Sequence, residues 1–175
     1  MIPVRKDPEA VDAKLIERLG IDVSKWARSR RKRAGLLNVH YLRFERFFVL
    51  LASKGDHRFF QEERGYKDVR RDSITFLGHS IGYKQDSNGR WHPSVRIHPK
   101  TYRDLKAHFL EQSGRSSARD LLTELNGLPF ERYAPVRAQL LCLFRAINGA
   151  RRMRGLDLLP RGGLWLRRSP VRVFK

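Results

Sequence analysis

The chain has a single cysteine, Cys142, among 175 residues. A lone thiol closes no internal disulfide and cannot build a zinc cage. It falls inside an apolar helical stretch, where a small buried hydrophobe is the expected role. Also missing are a long uncharged apolar run, a signal-peptide pattern and a lipidation motif. Together these absences point to a reducing compartment, the cytoplasm, and away from a membrane. No repeat recurs at solenoid periods. There is no phosphate loop and no dinucleotide fingerprint, so no cofactor is expected. No RNA-recognition-motif, KH or zinc-finger signature is present either.

Acid is scarce. Against 37 Lys+Arg stand 18 Asp+Glu, which leaves a formal charge of +19 and a pI near 11.1. Self-repulsion of that size opposes a compact state unless a polyanion absorbs it, and a nucleic-acid backbone supplies regular negative charge. Hydrophobic residues make up 41% of the chain, enough for a core. The length suits one compact domain, with or without an appended helical piece.

Three segments concentrate basic residues. The first is Lys25, Arg28, Arg30, Arg31, Lys32 and Arg33, in a segment that also holds Trp26 and Ala27. On a helix, such residues bridge phosphates across a groove, and Arg adds bidentate geometry. The second is Lys84, Arg90, Arg96, Lys100, Arg103 and Lys106, on a hairpin and the helix after it. Aromatic and basic residues on an antiparallel sheet can stack bases and hold phosphates. The third is a C-terminal tail with Arg151, Arg152, Arg154, Arg161, Arg167, Arg168 and Arg172 against one acid, Asp157. Glycine and proline separate these charges, which suits a tail that orders on binding; Trp165 among them either stacks on a base or, the preferred reading, anchors the tail to the core. Dispersal over the chain, instead of concentration on one recognition helix, favours the shape-reading typical of structured RNA over DNA.

Local signals predict an α+β fold: N-terminal helices, a small antiparallel sheet with an Asn-Gly hairpin, then C-terminal helices and the basic tail. Asp7-Pro8-Glu9 opens a helix with Val11, Leu15 and Leu19 on one face, and Gly20 closes it. A second helix runs from about Asp22 or Ser24 to Gly35, anchored by Trp26 and Ala27. Val39–Phe44 and Phe47–Leu51 read as strands, the latter apolar on both faces like a central strand. A short helix is expected from His57 to Arg64. Ser73–Lys84 reads as one continuous strand, with Thr75, Leu77 and His79 on one face and Gly78, Ser80 and Gly82 on the other. The small residues leave room for a ligand, another backbone or a covering helix. Asn88-Gly89 turns the chain into a strand from Arg90 to Ile97, where both turn residues tolerate positive φ. Helices follow around Tyr102–Leu110, Ala118–Leu125 and Pro135–Arg154, and a last short strand is placed at Leu164–Arg168 or Val171–Phe174. A boundary near Pro99 divides residues 1–98 from 99–175, with a shared core left open.

Candidate chemistry is thin. Asp56, His57, Glu62 and Glu63 lie close in sequence and suggest a divalent-metal nuclease. No spacing repeats a known metal pattern, however, and helix capping with local ion pairs explains these residues more simply. His79 is expected to be packed or hydrogen-bonded. Tyr102, four residues after His98, lacks the paired histidines that a phosphotyrosine-forming site needs.

The segment Ile74-Thr75-Phe76-Leu77-Gly78-His79-Ser80-Ile81 resembles the Phe-Leu-Gly hairpin that follows the palm in reverse transcriptases of the group II intron type. The resemblance extends over residues 74–150, since a helical region follows the hairpin as the thumb or maturase region does in that family. The catalytic aspartates of the family are missing: Arg43-Phe44-Glu45-Arg46 stands in their place. The resemblance implies a non-catalytic protein that grips RNA, linked to a mobile element. The expectation is therefore a non-enzymatic RNA-binding protein that stabilises or presents a structured RNA in a ribonucleoprotein, with further protein partners left open. The alternatives are a DNA-binding protein of a mobile element or plasmid, and a small metal-dependent nuclease.

Overall fold

The computed structural model describes residues 1–55, 57, 59–62 and 65–167. The fold is α+β, and the chain divides into two compact units, Met1–Tyr66 and Lys67–Lys175.

In the first unit, helix α1 (Pro8–Leu19) starts where the Asp7 carboxylate accepts from the Glu9 and Ala10 amides, at 3.3 and 3.1 Å. It stops at Gly20, whose φ of 56° is left-handed. Helix α2 (Lys25–Arg33) is capped by the Ser24 hydroxyl, which accepts from Ala27 N at 3.2 Å. Strands β1 (Val39–Phe44) and β2 (Phe47–Ala52) form an antiparallel ribbon closed at the Phe44–Phe47 pair. Helix α3 (Phe59–Glu62) is a single turn. Leu19, Ile21, Leu37, Val39 and Phe59 are buried together, with Tyr41 and Leu50 packed against them. Each fully buried side chain of this kind contributes roughly 1.5–3 kcal/mol. Two expectations are corrected here. Among the described residues β2 pairs only with β1, so its apolar run does not mark a central strand. Trp26 is no anchor, being 73% exposed; the arginines of α2 hold that helix in place, as described below.

The second unit carries a three-stranded meander, β3 (Ile74–Phe76), β4 (His79–Gln85) and β5 (Trp91–Ile97), in the order β3-β4-β5. Helices α4 (Pro99–Gln112), α5 (Ala118–Asn126) and α6 (Ala134–Met153) follow. The expected single strand over 73–84 is broken by a tight turn at Leu77-Gly78, where both residues have positive φ, 43° and 72°. Leucine seldom adopts that conformation, which is why the turn is hard to read from sequence. The turn reverses the face pattern. Thr75 pairs with Ser80, and Phe76 with His79, so Thr75 lies on the Ser80 side. The Asn-Gly turn is present, but only Gly89 has positive φ, at 77°. Asp86 organises that loop, its carboxylate accepting from Asn88 N at 2.9 Å and Arg90 N at 2.8 Å.

The core of this unit joins sheet and helices. Ile97, Phe109, Leu121, Leu125, Val136, Leu140, Leu143 and Ile147 are fully buried in one cluster. The Gln139 amide of α6 brackets Ile97 on β5, accepting from its N–H at 2.8 Å and donating to its carbonyl at 3.1 Å. The chain therefore divides at residues 66 and 67, not at Pro99, because Ile97 and Phe109 share one core. Cys142 is exposed on α6, contrary to the expected buried role. No helix among the described residues is long and apolar enough to cross a membrane.

Candidate nucleic-acid interface

The basic residues of α2 separate into two kinds. Arg31 donates to the Gly20 carbonyl at 2.9 Å, and Arg28 to the Ile21 carbonyl at 3.4 Å. These are carbonyls at the C-terminal end of α1, where the dipole is negative. Arg28 and Arg31 share one side of α2 by their spacing and fasten it to α1. Lys25, Arg30, Lys32 and Arg33 are exposed and remain available to a phosphate.

The C-terminal arginines divide in the same way. Arg151 is 4% exposed. It donates to the carbonyls of Ser113 and Ser116, at 2.8 Å each, and to that of Asp157. Arg154 donates to the Ser113 hydroxyl at 2.6 Å. Arg152, Arg161 and Arg167 are exposed; Arg168 and Arg172, with the strand expected at 171–174, lie outside the described residues. The segment after α6 is pinned to the core at intervals, at Asp157, Leu159, Gly163 and Trp165. Leu159 and Leu164 are buried. Asn148 pairs with both backbone groups of Leu159, at 2.8 and 3.1 Å, and Asn126 holds Gly163 and Trp165 through their backbones. The anchor is thus leucine and asparagine, since Trp165 itself is 61% exposed.

The sheet of the second unit presents the strongest constellation. Ser80, Gly82 and Lys84 of β4 project to one face, beside Arg96, Ser94 and His92 of β5. The stretch Val69–Ser73 lies against this face. A Cβ on Gly82 would come within 3.3 Å of the Val69 carbonyl oxygen, and the Ser80 hydroxyl donates to that of Ser73 at 2.7 Å. The small residues thus admit another backbone instead of a helix. Where that stretch leaves the face open, a groove of about 180 Å³ remains. Arg71, Lys84 and Arg96 line it together with Ser73, Ser80, Ser94 and Gly82, and Val69 and Pro99 complete it. No carboxylate lines it, and among the described residues its three cationic side chains form no ion pair. Arg71 lies outside the three basic segments read from the sequence, between Asp68 and Asp72; Asp68 pairs with Arg70, at 2.5 Å.

Pro99 begins α4 directly beyond the groove. Lys100, Arg103 and Lys106 are exposed at three-residue intervals along that helix, which places them on one side. Arg90 is exposed on the hairpin loop. On the opposite face of the sheet, Tyr83 and Trp91 lie parallel, 3° apart in plane and 6.1 Å between centroids. The Arg70 guanidinium sits 5.8 Å from the Trp91 ring, and Trp91 is 44% exposed. The Arg70 contact holds the Asp68 carboxyl well down, at about 2.

The two described residues of the candidate catalytic set are engaged in other contacts. His57 accepts from Phe59 N at 3.0 Å through Nδ1, and Glu62 pairs with Arg18 at 2.5 Å. Asp56 and Glu63 lie outside the described residues. Among the described residues no three of His, Cys, Asp and Glu cluster as metal ligands. His79 packs edge-on against Phe130 at 5.2 Å, with Nδ1 3.0 Å from the Leu77 carbonyl. The Tyr102 hydroxyl points at the Gln139 carbonyl, 3.4 Å away, and burial pushes its pKa up.

No known family, curated protein or solved structure matches the chain.

Proposed function

We propose that this protein binds structured RNA without transforming it, stabilising or presenting the RNA within a ribonucleoprotein. The observation that carries the reading is the carboxylate-free groove lined by Arg71, Lys84 and Arg96. It is continued by the exposed cations Lys100, Arg103 and Lys106 on α4. Unpaired cations on a compact unit are held against their mutual repulsion, and neutralising them with phosphates releases counter-ions and drives binding. Trp91 and Tyr83 offer aromatic surface to an unpaired base. The four exposed cations of α2, and Arg152, Arg161 and Arg167, add phosphate contacts that follow shape instead of sequence. The proposal extends to a cytoplasmic ribonucleoprotein of a mobile element, on the likeness of Ile74–Ile81 to the Phe-Leu-Gly hairpin of group II intron-type reverse transcriptases.

The test is to purify the full chain at low salt and treat it in parallel with RNase and DNase. A discrete RNA species removed only by RNase is the expected result. Co-purifying duplex DNA would overturn the reading in favour of a DNA-binding protein.

A further inference from the structure

We infer that the sheet groove of the second unit seats one backbone phosphodiester of the bound strand, a defined site within an otherwise diffuse basic surface. The inference rests on the RNA-binding reading and deepens it. A tetrahedral phosphate needs several donors converging from different directions, together with an absence of competing carboxylates. Here three cations line one groove and no carboxylate does. Arg71, Lys84 and Arg96 come from three separate stretches of chain and meet at one groove. Arg supplies a planar fork of donors and Lys a mobile point charge, so the set can grip two oxygens and neutralise the third position.

Neutral donors make this a built site instead of a field of surface charge. Ser94 is 7% exposed, lines the groove, and its hydroxyl has no protein partner among the described residues. That hydroxyl is free to donate to a ligand seated in the groove. Ser80, 6% exposed, spends its proton on Ser73 at 2.7 Å, which leaves the Ser73 proton free to donate into the groove. Serine and glycine on this face let a ligand approach the sheet closely, as larger side chains would not. The same end of the groove meets the start of α4. No side chain caps that helix, so the Lys100 and Thr101 amides keep unsatisfied donors at the positive end of the dipole.

Inorganic phosphate and a backbone phosphodiester share this chemistry, and two arms separate them. In the first, inorganic phosphate is titrated into the isotopically labelled full chain, and amide shifts are followed at Gly82, Ser94 and Lys100. In the second, a fluorescent RNA hairpin with a single-stranded extension is titrated at several salt concentrations. It is run with the native chain, Arg96→Gln, Lys84→Gln, Ser94→Ala, and Arg119→Gln as a charge-matched control at an exposed position of α5. The expected result is phosphate shifts confined to the groove, and a salt slope reduced by about 0.7 in each of the two charge variants. Ser94→Ala should weaken RNA binding about threefold to tenfold, with little effect from Arg119→Gln. RNA binding that persists with unchanged affinity and slope in Arg96→Gln and Lys84→Gln would overturn the site while leaving the RNA reading intact. So would equal losses in Arg119→Gln, which would mean diffuse charge only. Groove shifts with phosphate, but no RNA binding at low salt, would overturn both, leaving a site for a free phosphate.

Discussion

Arg151 looks from the sequence like one more cation in a basic tail, and its substitution separates architecture from binding. The side chain is 4% exposed. It joins the carbonyls of Ser113, Ser116 and Asp157, tying the last turn of α6 to the end of α4 and to the segment beyond. A hydrogen bond from a charged donor contributes about 1.5–3 kcal/mol. A simple sum for the three overshoots, because water can reach the exposed Asp157 region once the side chain is gone. Ser113, by contrast, is fully buried and its carbonyl would be stranded. The net cost of Arg151→Ala is therefore about 3–4 kcal/mol, among the larger effects of single substitutions. For a unit of this size that corresponds to a fall of roughly 10–15 °C in melting temperature. Arg151→Lys should recover less than half, since one ammonium cannot fork to three carbonyls. Arg152→Ala, at the exposed neighbouring position, should move stability by less than about 0.5 kcal/mol. Thermal melts by circular dichroism, with RNA titrations well below the transition, provide the assay. A melting temperature unchanged in Arg151→Ala would refute the reasoning, as would a reduced salt slope from a variant that is still folded.

Other outcomes follow from the same geometry. Leu77, 66% exposed at φ 43°, is strained in its turn; Leu77→Asn should stabilise the chain by about 1 kcal/mol in urea unfolding, and a destabilised variant would contradict this. Burial and the hydrogen bond to Asp12 push the Tyr41 phenol up to about 12. The folded state thus keeps a proton that the unfolded chain releases near 10, so this contribution is complete below pH 10 and is lost as pH rises towards 12. Ultraviolet titration should show late-ionising phenol absorbance, to which the buried Tyr102 also contributes, that falls by one tyrosine in Tyr41→Phe; an unchanged late amplitude would contradict the assignment. Trp91→Ala should weaken binding of single-stranded RNA by about 1–3 kcal/mol while Trp91→Phe retains most of it, and equal losses in both would argue against stacking.

The sequence made some of this legible because the signals were local. Asp7, Pro8 and Gly20 bound α1, Ser24 caps α2, and the apolar spacing of Val136, Leu140, Phe144 and Ile147 marks the buried side of α6. The turn at Leu77-Gly78 was hidden because leucine at positive φ breaks the usual residue preference, and missing it placed Thr75 on the wrong face. The sorting of arginines was not legible at all. Whether Arg28, Arg31 and Arg151 face solvent or carbonyls depends on which helix ends lie beside them, a tertiary fact. Arg71 shows the converse: it stands between two aspartates in sequence, yet it lines the groove.

The central claim is that exposed, unpaired cations of this chain hold the phosphates of a structured RNA. The most direct test is the affinity of the full chain for a structured RNA, measured against salt concentration with duplex DNA as competitor. The account predicts tight binding at low salt, a linear fall of log K with log salt, and weak displacement by duplex DNA. Binding that is indifferent to salt, or no RNA binding at low salt, would contradict it.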